Sequence, residues 1–153
     1  MFMTLAIFFG SILGLLIVSA FFSGSETALT AVSKARIRHL ADEGNKKAAE
    51  VEKLISQQDK LISTLLLGNN LVNILASALT TSLFISLFGD VGVIVATIVM
   101  TSLVVIFAEI LPKIIALKYS DMWSLKAALP IKITIKILGP LANLAQKASS
   151  YFV

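Results

Sequence analysis

The chain has 153 residues, of which 57% are hydrophobic and only 14% are charged, and its formal net charge is +4. This balance excludes an ordinary soluble globular domain and indicates a membrane protein. The chain contains no cysteine, so it can form neither a disulfide nor a thiolate zinc site. Its basic residues border the apolar stretches instead of lining one face, which argues against nucleic-acid binding.

Three uncharged stretches have the length that a hydrocarbon core requires, which is about 20 residues. They are residues 1–25, 61–89 and 91–108. The transmembrane helices predicted from them span about 3–33, 61–88 and 91–117. A secretory signal peptide is the alternative for the first stretch, but such a peptide begins with a basic segment and has a shorter apolar core. We therefore predict an all-α membrane protein in which residues 1–153 form a single transmembrane domain.

The orientation follows from the thirteen Lys and Arg residues. Seven lie between the first two spans, from Lys34 to Lys60, and the other six lie from Lys113 to Lys147. None precedes the first span or lies in the "GDVG" turn before the third. By the positive-inside rule the N-terminus is outside, while the loop 34–60 and the C-terminus are cytoplasmic. We predict a multi-pass protein of a plasma membrane of the bacterial inner-membrane type.

The segments outside the three spans are predicted to lie on the cytoplasmic side. The loop is predicted as two short helices that separate at Gly44-Asn45. After the third span, Tyr119 and Trp123 lie four residues apart between lysines, which is typical of an interfacial aromatic anchor. The segment 119–150 has no uncharged run longer than 137–146, which is too short to span. We predict an amphipathic helix on the inner membrane surface, kinked at Pro130 and Gly139-Pro140; a fourth crossing is the alternative.

Four polar clusters interrupt the apolar spans, where polar groups are costly and normally face a bundle interior or a water-filled path. They are "SGSE" at 23–26, "GNNLVN" at 68–73, a stripe of Thr97, Thr101 and Ser102, and "EILPK" at 109–113. Ser23 lies eleven residues from Lys34, Asn69 lies nine from Lys60, and Glu109 lies nine from Lys118. At the helical rise this is a depth of roughly 13 to 17 Å, so three spans bring polar residues to one level.

Side-chain direction favours one shared cavity. Asn69 and Asn73 lie one helical turn apart and share a face, which Ser77 continues. Ser102 and Glu109 lie seven residues apart and are also predicted to share a face.

The ligands of such a cavity would all be oxygens, including main-chain carbonyls freed where Gly24, Gly68 or Pro112 interrupts a helix. This hard ligand set suits magnesium, calcium or sodium and does not suit zinc or copper. Magnesium takes six oxygens. One carbonyl and five side chains supply that number: Ser23, Ser25, Asn69, Asn73 and Glu109. One negative charge implies modest affinity, which suits a transporter that must release its ion.

Each cluster also has a structural interpretation. Ser23 and Glu26 have the spacing of a capping box, which would start a helix at residue 23. The two asparagines can be interhelical hydrogen-bonding groups. Glu109 and Lys113 can form an i,i+4 ion pair, and the Thr/Ser stripe favours close helix packing over ligation. The membrane region has no histidine and no convincing nucleophile–base pair, so we predict no enzyme.

The motifs "SGSETAL", "LLLGNNLVN" and "EILPK", in this order and spacing, resemble the transmembrane domain of the CorC and cyclin-M (CNNM) family of magnesium transporters. The resemblance covers nearly the whole chain. It implies three transmembrane helices with a kinked juxtamembrane helix, a homodimer formed through the membrane domain, and transport or sodium-coupled exchange of Mg²⁺ across the plasma membrane. Mg²⁺ is then the transported ion, and Na⁺ is the coupling ion of an exchanger.

The resemblance also implies the ion ligands, although it does not place Asn70 or Glu26. They carry over to Ser23, Ser25, the carbonyl of Gly68, Asn69, Asn73 and Glu109. Family members usually continue into cytoplasmic CBS modules and a further C-terminal domain, whereas this sequence ends at "SSYFV". We therefore expect an excised membrane domain. The rival hypothesis is a non-transporting membrane anchor or regulatory scaffold, in which the polar residues only join helices or subunits.

Overall fold

The computed structural model describes residues 2–149, and the described part is helical almost throughout. Its elements are α1 (Phe2–Ala31), α2 (Lys34–Asp42), α3 (Lys46–Ser56), α4 (Gln58–Phe88), α5 (Val91–Leu103), a π-helical segment (Val104–Ile110), α6 (Leu111–Lys118) and α7 (Ser120–Ser149). The helix α5, the π segment and α6 follow one another without a gap and form one long rod. The predicted all-α fold class is confirmed.

The two short helices begin at side-chain caps. The hydroxyl of Ser33 accepts a hydrogen bond from the backbone N–H of Arg36. The side-chain oxygen of Asn45 accepts from the N–H groups of Lys47 and Ala48 at 3.0 and 3.2 Å, which satisfies donors that a helix start leaves free. Gly44 has a φ of 91°, a backbone conformation that glycine adopts at little cost. The predicted break at Gly44-Asn45 is confirmed.

Helices α1 and α4 run without interruption through the glycines at which we predicted that breaks could occur. Ser23 therefore lies in the interior of α1 and starts no helix, so the capping-box interpretation is wrong. Packing explains these glycines instead. A Cβ at Gly24 would overlap the indole of Trp123, and one at Gly68 would lie 3.1 Å from the ring of Phe22. Each glycine admits a neighbouring ring and leaves the helix intact.

The π segment ends at Ile110, two residues before Pro112. The N–H of Leu111 donates to the carbonyl of Ile106, five residues back. Pro112 has no N–H and cannot continue the usual bonding to the residue four before it. The wider π turn accommodates this loss, and such turns often occur at functional sites.

Two apolar cores lie toward opposite ends of the bundle formed by α1 and α4. The first core joins the C-terminal half of α1 to α2, α3, α4 and α7. It includes Leu29, Ile37, Val51, Leu65 and Ile131. The second joins the N-terminal half of α1 to α4 and α5, through Ile12, Ala76, Leu83 and Met100. Between them the buried residues of α1 include Ser19, so a polar group separates the two cores.

Four helices are long and apolar enough to cross a membrane: Met3–Ala31, Gln58–Phe88, Val91–Lys118 and Ser120–Ala148. Large apolar side chains on the first three point outward, as Ile17, Ile74 and Ile98 do with more than 60% of their surface exposed; lipid is the medium that suits such a surface. The fourth helix is the least apolar. Within the described residues it is one helix that continues through Pro130 and Pro140, the two prolines at which kinks are predicted. Residue 150 lies outside the described residues.

Charged side chains fasten the short helices to α7, and we call these contacts the clamp. Arg36 of α2 pairs with Asp121 at 2.7 Å. Glu50 of α3 pairs with Lys132 at 2.9 Å and with Lys53 of its own helix at 3.6 Å. The hydrogen bond from Lys132 holds the pKa of Glu50 below its ordinary value, and the nearby charges of both lysines act in the same direction.

Candidate cation site between helices α1 and α4

Three oxygens from two helices meet at the polar point between the apolar cores. The side-chain oxygens of Asn69 and Asn73 each lie 2.7 Å from the hydroxyl oxygen of Ser19. The asparagines occupy one face of α4, as predicted. Because a hydroxyl has a single hydrogen, Ser19 can donate to only one of the two amide oxygens at a time. We call Ser19, Ser23, Asn69 and Asn73 the α1–α4 cluster.

Ser23 lies one turn after Ser19 on the same face of α1. Its side chain is fully buried, and its hydroxyl has no hydrogen-bond partner among the described residues. Other hydroxyls in the spans, such as those of Thr64 and Thr80, donate to the carbonyl four residues back in their own helix. A buried hydroxyl without a partner carries a desolvation cost. This cost is relieved when a ligand oxygen, water or cation reaches the hydroxyl.

Ser25 lies two residues further along α1 and therefore points to a different side of the helix. Its hydroxyl accepts a hydrogen bond from the indole N–H of Trp123 at 3.1 Å. The same indole covers Gly24. The structure thus places Ser25 against α7, away from the hydroxyl of Ser19.

Gly68 lies one residue before Asn69 and is buried between Phe22 and Leu138. Since α4 continues through it, no helix break frees its carbonyl. Gly68 therefore lies beside the cluster, where it allows Phe22 and Leu138 to pack closely against α4.

Glu109 lies in the π segment and is half-buried. Glu26 of α1 interacts electrostatically with both Glu109 and Lys113, so these three charges lie near one another. Within the described residues no ion pair joins Glu109 to Lys113, although their spacing suggested one. Most of the π segment lies between Ser102 and Glu109 and changes the rotation per residue, so an α-helical spacing of seven no longer assigns the two residues to one face.

The face of α1 connects these two groups of residues. Ser19, Ser23 and Glu26 lie at i, i+4 and i+7, which is one stripe along the helix about 10 Å long. The amide oxygens of α4 lie beside Ser19, at the start of this stripe. The carboxylate of Glu109 lies near Glu26, at its end. No group of three or more His, Cys, Asp or Glu side chains within the described part could hold a metal. Any ion held here would depend mainly on hydroxyl and amide oxygens.

A polar groove between α4 and α5 reaches the same cluster from the outside. It has a volume of about 610 Å³ and is lined by Asn73 together with Asn70, Ser77, Thr97 and Thr101, among others. Thr97 and Ser102 donate to carbonyls of their own helix, which allows them to face an apolar surrounding. The Thr/Ser stripe therefore lies on an outer face, and Thr97 and Thr101 line the groove.

Sequence reasoning missed Ser19 and the role of Trp123. Ser19 is a single serine in an apolar run, but its spacing of four from Ser23 and seven from Glu26 could have placed it on their face. The contact of Trp123 with Gly24 joins residues 99 apart in the chain. No local pattern signals such a contact.

Comparison with known proteins gives a consistent set of relatives. A family model described as the cyclin M transmembrane N-terminal domain matches residues 10–153. The chain is 49% identical over 124 residues to the UPF0053 inner membrane protein YfjD of Escherichia coli (strain K12), covering 81% of the chain and 27% of that protein. It is 41% identical over 126 residues to a UPF0053 protein of Haemophilus influenzae, covering 82% and 30%.

A plant protein is also similar. The chain is 33% identical over 135 residues to the DUF21 domain-containing protein At1g55930, chloroplastic, of Arabidopsis thaliana, with coverage of 88% of the chain and 20% of that protein. The chain thus spans less than a third of the length of these three relatives.

Proposed function

Since this chain belongs to the family of cyclin M transmembrane N-terminal domains, as its motifs predicted, we propose that it transports magnesium ions across the plasma membrane. Its helices and its inner-membrane relative make it a multi-pass membrane protein. The observation that carries the proposal is the meeting of the Asn69 and Asn73 oxygens at Ser19, beside the unpartnered hydroxyl of Ser23.

In the α1–α4 cluster, two amide oxygens face a single hydroxyl proton. Two amide oxygens compete for one proton of Ser19, and the hydroxyl oxygen of Ser23 has no partner in the described part. A hard cation corrects this imbalance, because hydroxyl and amide oxygens are ligands that Mg²⁺ and Ca²⁺ accept. The apolar cores on either side lower the local dielectric, which strengthens the attraction between ion and oxygen.

We assign the negative charge of the site to Glu109. Neutral oxygens alone hold a divalent ion weakly, and the stripe on α1 leads from the cluster to Glu26, near which Glu109 lies. Ser25 stays in the proposed ligand set because of the family resemblance, although its hydroxyl accepts from Trp123 and points to a different side of α1 from the hydroxyl of Ser19. The carbonyl of Gly68 completes the ligand set that the family resemblance implies. Exchange against Na⁺ is part of the same proposal.

The proposed mechanism is alternating access. A largely dehydrated ion joins α1 to α4 at mid-membrane, where it replaces the bonds of Ser19 to the asparagines. When one helix rocks, its oxygens withdraw and the ion is released to water. The π segment, which contains Glu109, is a suitable place for this motion, because its bonding pattern differs from that of the helices on both sides.

We further propose that α7 lies across the inner membrane surface and that the protein has three spans. From Trp123 to Gln146 the helix advances about 35 Å. Yet Trp123 bonds to Ser25 and Gln146 bonds to Ser63, and both serines lie within roughly 14 Å of the lysines that border the cytoplasmic loop. A crossing helix would meet partners at both ends of the bundle. The N-terminus is then outside, and the C-terminus is cytoplasmic.

A homodimer is the proposed assembly, with the α4–α5 groove as the contact face. Amide and hydroxyl groups of Asn70, Ser77 and Thr101 line this groove at membrane depth, where a second protein surface satisfies them better than lipid does. The chain has no cysteine, so a Thr97→Cys variant reports one position only. We expect this variant to form a disulfide-linked dimer in membranes. The control is Ile17→Cys, an exposed position of α1 outside the groove, which should form none.

A non-transporting scaffold is the second candidate, because the bonds of Ser19 also join α1 to α4. In that case Asn73→Leu should impair folding or dimerisation, and Mg²⁺ should protect the wild type and the variant equally against thermal unfolding. A transporter predicts that Mg²⁺ protects the wild type alone.

The decisive experiment measures Mg²⁺ flux into proteoliposomes that contain an Mg²⁺-sensitive dye. We expect Asn73→Ala to lower the rate at least about tenfold, which corresponds to the loss of one ligand to a charged ion. Asn70→Ala is the matched control, since Asn70 lines the same groove as Asn73 but lies outside the cluster, so an effect on the dimer face alone is expected in both variants. Equal rates in the two variants would overturn the proposal.

Calorimetry with Glu109→Gln tests the charge assignment, because unchanged Mg²⁺ binding would remove Glu109 from the site.

A further inference from the structure

A second cavity lies at the junction of α3, α4 and α7, and its α4 residues Lys60 and Leu61 lie about two helical turns before Asn69 of the α1–α4 cluster. Its volume is about 240 Å³. It is lined by Glu50, Lys53, Leu54, Gln57, Lys60, Leu61, Lys132 and Ile135. Three of these residues are lysines and only one is acidic.

The charges around this cavity do not balance. Glu50 is the one carboxylate, and it is shared between Lys132 at 2.9 Å and Lys53 at 3.6 Å. Lys60 forms no ion pair within the residues that the structure describes. The cavity therefore has an excess of about two positive charges, and an anion is the ligand that this excess favours.

Lys60 is held at the cavity by packing. It is half-buried, and its aliphatic chain lies against Gly139 of α7, where a Cβ would be 3.2 Å from the Cε atom. The ammonium group thus lies in the corner between α4 and α7, where less water reaches it than at an open surface. A partly desolvated charge without a counter-charge is costly, so a bound anion stabilises this arrangement.

The remaining walls are apolar and lie at the membrane boundary. Leu54 and Leu61 are buried, and Ile135 is half-buried. Lys60 is the last charged residue before the uncharged stretch 61–89. A ligand at this position meets lysines on one side and apolar side chains on the other.

We propose that this cavity binds the phosphate of an anionic phospholipid. The lysines contact the phosphate, and the acyl chains extend along the apolar walls into the bilayer. Basic pockets between helices at the cytoplasmic face are a recurrent form of lipid recognition. The bound lipid joins α3, α4 and α7 and holds the clamp against the membrane.

The test measures thermal unfolding of the detergent-solubilised chain while phosphatidylglycerol is titrated in, and it derives an apparent dissociation constant from the rise in Tm. We expect Lys60→Gln to weaken binding about fivefold, which corresponds to about 1 kcal/mol for one lysine at an anionic lipid surface. Lys60→Arg should retain binding because it keeps the charge. The matched control is Lys46→Gln, which removes the same charge from the start of α3, outside the cavity.

Two further ligands identify the source of the phosphate. Phosphatidylcholine should raise Tm much less than phosphatidylglycerol, since it carries no net charge. Sodium phosphate should give no comparable rise, because it lacks the acyl chains that contact Leu54, Leu61 and Ile135. An equal effect of sodium phosphate would overturn the lipid assignment. Equal weakening by Lys46→Gln, or unchanged binding in Lys60→Gln, would overturn the site.

Discussion

In the clamp, each ion pair joins charges of opposite sign: Arg36 faces Asp121, and Glu50 faces Lys132. In the α1–α4 cluster, two amide oxygens share the hydroxyl of Ser19, and the hydroxyl of Ser23 has no partner in the described part. The clamp is exposed to water on one side, whereas the cluster lies between two apolar cores. A polar group that lacks a hydrogen-bond partner costs more free energy between apolar cores than it does at a surface in contact with water. This difference in cost is the reason why we propose the ion site at the cluster and regard the clamp as a structural support.

The largest effect is expected where α7 supports the cluster. Gly24→Ala places a Cβ in the space of the Trp123 indole, so we expect a loss of about 1–3 kcal/mol in the free energy of unfolding. Circular dichroism of thermal or denaturant unfolding in detergent measures this loss. Gly14→Ala is the control in the same helix, because nothing lies within 4 Å of its Cβ. Equal stability of the two variants would show that α7 does not pack closely against α1.

A smaller effect is expected from the polar contact between α7 and α1. Trp123→Phe keeps most of the ring but removes the N–H that donates to Ser25, so we expect a loss of about 1 kcal/mol. Denaturant unfolding followed by circular dichroism measures this difference. Tyr119→Phe serves as the control, since Tyr119 is exposed and its hydroxyl makes no hydrogen bond in the described part. A loss as large in Tyr119→Phe would mean that the Ser25 contact adds no stability.

The smallest effect is expected at the clamp, and it depends on pH. The pKa of Glu50 is lowered in the folded protein. Its contribution to stability is therefore present above the unfolded pKa and is lost as the pH falls through the folded pKa. We expect Glu50→Gln to lower Tm slightly near neutral pH and to leave Tm unchanged in acid. Glu52→Gln, one residue away, should have no such pH-dependent effect, and a similar profile in both variants would exclude Glu50 as the cause.

Much of the fold could be predicted because it depends on local composition. The uncharged stretches predicted the bounds of α1, α4 and the rod from Val91 to Lys118 within a few residues. The Gly44-Asn45 pair predicted the break between the two short helices of the loop. The π segment could not be predicted from spacing, because an α-helical period is assumed when faces are assigned. The uninterrupted course of α1 was missed for a related reason. Ser23 and Glu26 match a helix start locally, but the apolar turns before them continue the helix.

The site was predicted in part. Asn69 and Asn73 share a face as their spacing of four requires, and Ser23 is buried at the same interface. Ser19 was missed because one serine in an apolar run is a weak signal. The place of Ser25 depends on Trp123, which is distant in the chain, so only the packed structure separates Ser25 from Ser23. Binding of Mg²⁺ by any of these residues stays a prediction.

The most direct test of the account is the effect of Ser23→Ala on thermal unfolding with and without Mg²⁺. Because the hydroxyl of Ser23 has no partner in the described part, its removal should leave Tm unchanged or raise it in the absence of Mg²⁺. The rise in Tm that Mg²⁺ produces in the wild type should shrink in the variant, since an ion ligand is lost. Ser11→Ala, at an exposed position of the same helix, should change neither value. A variant that is less stable without Mg²⁺ and yet shows the full rise with it would contradict the proposed ion site.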